Sequence, residues 1–178
     1  MFSGSRLALV GGGVFTLLLA FAAYGDLRTR RIRNWLVAVI AVSGLVYVGL
    51  ADSSGRGLLG SAEGFGIGLV CWLPFYLLGW LGAGDVKLYA AAGVWLGPAR
   101  AVEGAVIGAL AGAVLAVVWM IGVYGWKRSM STLSVATAAP SILAQAPDGK
   151  EARRTLPYGV ALALGALAAG WMPSSLLH

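Results

Sequence analysis

The chain has 178 residues, 59% of them hydrophobic and only 11% charged, which is more apolar surface than a soluble domain of this length can bury. A single cysteine (Cys71) and a single histidine (the final residue, His178) argue against a disulfide framework and against Cys- or His-based metal or triad chemistry. No metal and no cofactor are therefore expected. The net charge of +6 would suit nucleic acid, but the positions of the basic residues assign it to a membrane instead, and no nucleic-acid partner is expected.

The predicted fold is all-α, a single polytopic bundle of about six transmembrane helices filling residues 1–178. The 27 glycines fit close packing of helices in lipid. The first span is residues 7–24. It could also be read as a secretory signal, since Ala20-Phe21-Ala22 resembles a cleavage site. However, Arg28, Arg30, Arg31 and Arg33 follow it at once, and such a cluster resists export. Residues 35–50 form the second span, flanked by Trp35 and Tyr47 as interface aromatics. A polar turn leads to the third span, 58–80, in which Pro74 predicts a kink. The short fourth span, 86–96, ends at Gly97-Pro98, and the fifth is 101–124. Residues 126–155 read as a polar loop, with a possible interfacial helix over 133–144. The sixth span is 156–171.

Six spans place the connections alternately on two sides. One side carries Arg28, Arg30, Arg31, Arg33, Lys87, Lys127, Arg128, Lys150, Arg153 and Arg154, and the other carries Arg6, Arg56 and Arg100. By the positive-inside rule the first group faces the cytoplasm and both termini lie outside. Asp26, just after the first span, and Asp85, just before the fourth, then share the cytoplasmic face.

A carboxylate at the edge of hydrocarbon costs a few kcal/mol, about 2.5 to 3.5 on insertion scales, and calls for a reason. Two acids at one face can divide the work of amide hydrolysis, one taking a proton from water and the other giving one to the scissile group. Taken singly, Asp26 could pair with an arginine of the following loop, and Asp85 could be a helix N-cap. Glu63 and Glu103 fall near the outer ends of their spans and read as exposed or paired. Lys87 reads as a snorkelling cation or as a group steadying an anion beside Asp85.

The stretch Gly82-Ala83-Gly84-Asp85-Val86-Lys87-Leu88 resembles the GxGDxKL signature of type IV prepilin peptidases, membrane-embedded GxGD aspartic proteases. Asp26 with Ile32-Arg33-Asn34 resembles that family's first catalytic aspartate and the Ile-Pro-Asn element after it, with Arg33 where proline is usual. Leu156-Pro157-Tyr158-Gly159 resembles a third element, which opens the last span. The resemblance implies Asp26 and Asp85 as the catalytic pair and Gly82 and Gly84 as the active-site turn. It also implies Pro157 with Tyr158 receiving substrate; Lys87 and Asn34, within the same motif stretches, are candidates for support or substrate binding. The implied partners are a prepilin or pseudopilin and membrane lipid; the implied location is the bacterial inner membrane. With one cysteine the chain lacks the paired CxxC motifs of the methylating relatives, and it is similar to the peptidase-only form of Flp-type (tight-adherence) pilus systems. Presenilin-like proteases show Tyr-Asp and Pro-Ala-Leu elements, which Tyr24-Gly25-Asp26 and Leu156-Pro157-Tyr158 do not match. A further alternative is a non-catalytic transporter or pilus-assembly component that binds a cation or protons through the two aspartates. Neither the particular pilin nor the oligomeric state is legible in the sequence.

Overall fold

The computed structural model describes residues 6–29, 32–51, 56–124 and 158–172, and among these all regular structure is helical. The helices are α1 (Arg6–Thr29), α2 (Asn34–Ala51), α3 (Arg56–Leu77), α4 (Ala83–Tyr124) and α5 (Tyr158–Trp171). The first four are long and apolar enough to cross a membrane, and α5 is a shorter apolar helix.

The helices are apolar all round; α4 is buried on every side over residues 88–96, whereas α1 and α2 each hide only one stripe. On α1 the buried residues are Ala8, Gly11, Gly12, Phe15, Leu19, Ala22 and Asp26, the three-and-four spacing of one helical face. Leu9, Val10, Leu17 and Phe21 on the same helix are exposed. On α2 the stripe is Leu36, Ile40, Gly44 and Val48, with Val39, Val42, Leu45 and Val46 exposed. Large apolar side chains facing outward along whole helices are what a lipid solvent permits and water does not.

The centre of the packing is Trp95. It stacks on Tyr47 at 5.1 Å, tilts against Phe15 at 5.2 Å and donates its indole N–H to the Ile40 carbonyl at 2.8 Å. Gly44 makes room for it: a Cβ there would lie 2.7 Å from the Trp95 ring. Helices α3 and α4 meet backbone to backbone where Gly64 faces Gly93, the small-residue contact that replaces hydrophobic drive between helices in lipid.

α4 is two arms, 83–96 and 98–124, broken at Gly97, whose φ of 72° and ψ of 177° are non-helical. Pro98 opens the second arm, a position where its missing N–H costs nothing. The break is a reversal. Tyr89 donates its hydroxyl to the Ala101 carbonyl at 2.8 Å, across a separation that would be about 18 Å in a straight helix. The expected interruption at Gly97-Pro98 is therefore present. The second arm then runs antiparallel to α5, with Gly104 beside Gly165 and Ala169, and Gly112 beside Tyr158. At the far end Arg100 donates to the carbonyls of Ala169 (2.9 Å), Gly170 and Met172 (both 3.3 Å), satisfying acceptors that a helix C-terminus leaves open.

Three boundaries differ from the expected ones. α1 continues through Asp26 to Thr29, so Asp26 lies inside its last turn. α3 ends at Leu77 rather than 80. Gly79 takes φ 81° while Trp80 N–H donates to Phe75 O at 2.8 Å and Gly79 N–H to Tyr76 O at 2.9 Å, a Schellman closure that only a residue free to adopt positive φ allows readily. Pro74 lies inside α3, as expected. α4 starts at Ala83, so Asp85 belongs to its first turn instead of preceding it. The loop 126–155 with its expected interfacial helix, and Pro157, lie outside the described residues.

Candidate active site

The stripe that buries α1 ends on Asp26. This carboxylate is 6% exposed, seven residues on from Leu19 and four on from Ala22, so helical spacing alone turns it inward. There it meets the start of α5: the Gly159 amide donates to Asp26 Oδ2 at 3.0 Å. The first N–H groups of a helix have no partner within it, so α1 supplies an acceptor to α5 in trans, at the end where the α5 dipole is positive. Gly159 leaves space for this contact. A Cβ on it would lie 2.8 Å from Asp26 Oδ2 and 3.0 Å from Cγ.

Asp85 is held differently. The Gly82 carbonyl accepts from the Asp85 N–H at 3.1 Å and from the Val86 N–H at 3.4 Å, which makes Gly82 the cap residue of α4 and Asp85 the third helical residue. The Asp85 carboxylate reaches back to accept from the Gly82 N–H at 3.3 Å, one half of a capping box. Asp85 is thus not the N-cap itself. Gly84 brings the turn against the α1–α2 connection, since a Cβ on it would lie 3.3 Å from Ile32 Cβ.

The two carboxylates fall at the same end of the bundle, Asp26 at the end of α1 and Asp85 at the start of α4, and each lies in the other's electrostatic field. Tyr158, half-buried at the start of α5, is within the field of Asp85 as well. Of the residues expected at the site, Asp26, Asp85, Gly82, Gly84 and Tyr158 thus share one neighbourhood. Lys87 and Asn34 are exposed, and the hydrogen bonds that hold the carboxylates involve neither. Arg28 lies over the Tyr24 ring at 5.8 Å, a cation–π contact. Among the described residues no group of three or more His, Cys, Asp or Glu comes together. Glu63 is exposed.

Gly159 and Ile32 are the contributors that sequence reasoning did not assign a role. A Pro-Tyr-Gly triplet opening an apolar helix was the available signal for Gly159, because a glycine at the second position of a helix costs stability unless something approaches closely.

No curated protein and no solved structure matches the chain. A family model described as the type IV leader peptidase family matches residues 13–121, more than half of the chain and both aspartates. With an all-helical body, long apolar helices and two acids at one end of it, the chain is a membrane peptidase belonging to the type IV leader peptidase family.

Proposed function

We propose that this peptidase is an intramembrane aspartic endopeptidase that removes the leader from Flp-type prepilins at the cytoplasmic face of the bacterial inner membrane, with Asp26 and Asp85 as its catalytic pair. What supports this reading is that two carboxylates from opposite kinds of helix end lie at the same end of the bundle, each accepting from a glycine amide and close enough to interact electrostatically. Two acids held this way share one proton, which gives hydrolysis both a base and an acid.

In the proposed reaction the ionised carboxylate takes a proton from water, whose oxygen attacks the scissile carbonyl carbon. The protonated carboxyl hydrogen-bonds the carbonyl oxygen as it gains charge. The tetrahedral intermediate then collapses: the C–N bond breaks, the leaving nitrogen gains a proton from the site, and the two acids are left with one proton between them. Each aspartate accepts from a glycine amide through Oδ2, which fixes the orientation in which its carboxyl group enters this exchange.

The orientation follows from taking both arms of α4 as crossings. Ten basic residues then fall on the side of the carboxylates and three on the other, and the richer side is cytoplasmic. A prepilin's apolar helix would lie in lipid against the bundle with its basic leader beside the aspartates. The cationic run from Arg28 to Arg33 suits anionic headgroups, at about 1 kcal/mol per basic residue near the surface.

Asp26→Asn and Asp85→Asn, made separately and co-expressed with a Flp-type prepilin, test the assignment. Either change is expected to abolish the size shift of the pilin on a gel while the variant still accumulates in the membrane. A proton- or cation-binding scaffold would process the pilin with both changes in place, and that result would retire the proposal.

A further inference from the structure

The α1–α2 connection carries a cleft of its own, of about 230 Å³. Phe21, Ala22, Ile32 and Leu36 give it apolar walls, and Arg28 and Arg33, both exposed, stand at its rim. Among the described residues neither guanidinium has an acidic partner. Arg28 is instead held over the Tyr24 ring, another wall of the cleft, at 5.8 Å. Arg33 caps α2, its carbonyl accepting from the Leu36 N–H at 3.0 Å, so the positive end of the α2 dipole falls at the same rim.

The cleft also has a depth and a direction. Phe21 and Trp35 pair at 6.3 Å with both side chains about half exposed, the aromatic belt that marks a membrane interface. Farther along the same two helices lies a larger apolar groove, about 600 Å³, walled by Val10, Val14, Val42 and Val46. Val14, Phe21 and Arg28 fall seven residues apart and so share one face of α1, which places cleft and groove along one seam. From Arg28 to Val14 that seam runs about 21 Å, the thickness of one bilayer leaflet with its headgroups, about 20–22 Å. Its chemistry calls for an anion at one end and a hydrocarbon chain along the rest.

We propose that this seam binds one anionic phospholipid of the leaflet on that side, its phosphate between Arg28 and Arg33 and one acyl chain laid between α1 and α2. Arginine suits the phosphate because its planar fork donates two parallel hydrogen bonds. A free phosphate would leave the apolar cleft unfilled, and the basic leader of a prepilin would be repelled by both guanidiniums. The site goes beyond the proposed catalysis and does not depend on it, since binding is read without cleavage. It adjoins the acids all the same. Gly25 of the cleft precedes Asp26, and Ile32 lies where a Cβ on Gly84 would meet it at 3.3 Å. A lipid seated here therefore braces the connection that backs the Asp85 turn.

The test places the full chain in nanodiscs of phosphatidylglycerol and phosphatidylcholine with identical chains. Native mass spectrometry then counts the lipid that stays bound on release into detergent. The wild type is expected to keep one phosphatidylglycerol per chain, preferred over phosphatidylcholine about fivefold per arginine and so about 30-fold for the two. Arg28→Gln and Arg33→Gln should each lower the preference about fivefold, and the double change should abolish it. Arg6→Gln, exposed at the other end of α1, should leave it unchanged. Gly25→Leu keeps both charges but fills the cleft, where a Cβ on Gly25 meets nothing within 4 Å; it should release the lipid, and a thermal melt checks that each variant is folded. p-Benzoylphenylalanine in place of Phe21 should cross-link to phospholipid. Equal retention of the two lipids by the wild type would overturn the proposal. So would a folded Gly25→Leu that keeps phosphatidylglycerol as the wild type does, because that marks a diffuse basic patch. Full displacement by glycerol 3-phosphate, which marks a phosphate site without a chain, or capture of co-expressed prepilin in place of lipid at Phe21, would overturn it as well.

Discussion

Replacing Gly159 with alanine adds one methyl group and asks a sharp question of the site. The new Cβ would stand 2.8 Å from Asp26 Oδ2, about 0.6 Å inside the 3.4 Å at which ordinary contact begins. The methyl sits on helix backbone, so the carboxylate is what gives way. Its 3.0 Å bond from the Gly159 amide is then stretched or lost. A hydrogen bond to a charged group is worth about 1.5–3 kcal/mol, which corresponds to roughly 10- to 150-fold in rate if it is expressed in the transition state. Misplacing a reacting group by a comparable distance costs on the order of 100-fold. The expected result is a kcat lowered about 10- to 100-fold with KM changed less than twofold, since Gly159 acts by positioning Asp26 and not by gripping the leader. Helix propensity acts in the opposite sense, because alanine is favoured over glycine by about 1 kcal/mol within a helix. A loss of activity therefore cannot be attributed to a weaker α5. Initial rates of leader release, followed by mass spectrometry in nanodiscs, measure both constants, and a thermal melt checks folding. A folded Gly159→Ala enzyme within twofold of wild type in kcat, or one that loses only KM, would refute the reasoning.

Four further substitutions test the scaffold, one of them a control. Gly93→Ala pushes a methyl into the Gly64 carbonyl at the α3–α4 crossing, an overpacking expected to cost about 1–3 kcal/mol or more and to lower the melting temperature sharply, whereas Gly66→Ala, with nothing within 4 Å, should melt like the wild type. Gly97→Ala forces a side chain onto φ 72°, ψ 177°, a region essentially reserved for glycine, at about 1–3 kcal/mol; reduced accumulation in the membrane is the readout. Arg100→Leu removes the clamp on the α5 carbonyls and should destabilise by about 1–2 kcal/mol while kcat at low temperature stays near wild type, because Arg100 is at the end of the bundle remote from the aspartates.

What was legible in the chain beforehand is what depends on local pattern. Apolar runs of bilayer length announce a membrane bundle, and Gly97-Pro98 announces the reversal between the arms of α4, because neither residue can continue a helix unaltered. That Asp26 and Asp85 fall at one end of the bundle was also foreseeable: counting spans assigns each helix end to a side, and the two acids come out on the same one. The boundaries around both acids were read too short for a single reason. A charged residue looks like the end of an apolar helix, but helix backbone continues through it when the side chain finds a partner elsewhere, as Asp26 does at Gly159 and Asp85 does at Gly82.

The rest was decided by tertiary structure. The bond between Gly159 and Asp26 joins residues 133 apart, and no periodicity carries that information; it exists because α5 runs antiparallel to the second arm of α4 and so delivers its open amides to the end of α1. Lys87 and Asn34 sit within motif-like stretches yet point outward, since one residue of helical advance turns a side chain by about 100°. Trp72 likewise reads as one more aromatic in an apolar run, and only the packing around it, against Phe75 and Tyr89, leaves its N–H without an acceptor. Composition and span lengths by themselves determined the solvent this protein folds in and that its two acids share one end of the bundle. The fold alone determined which amides hold those acids, because hydrogen bonds between helices belong to surfaces brought together and not to the segments that carry them.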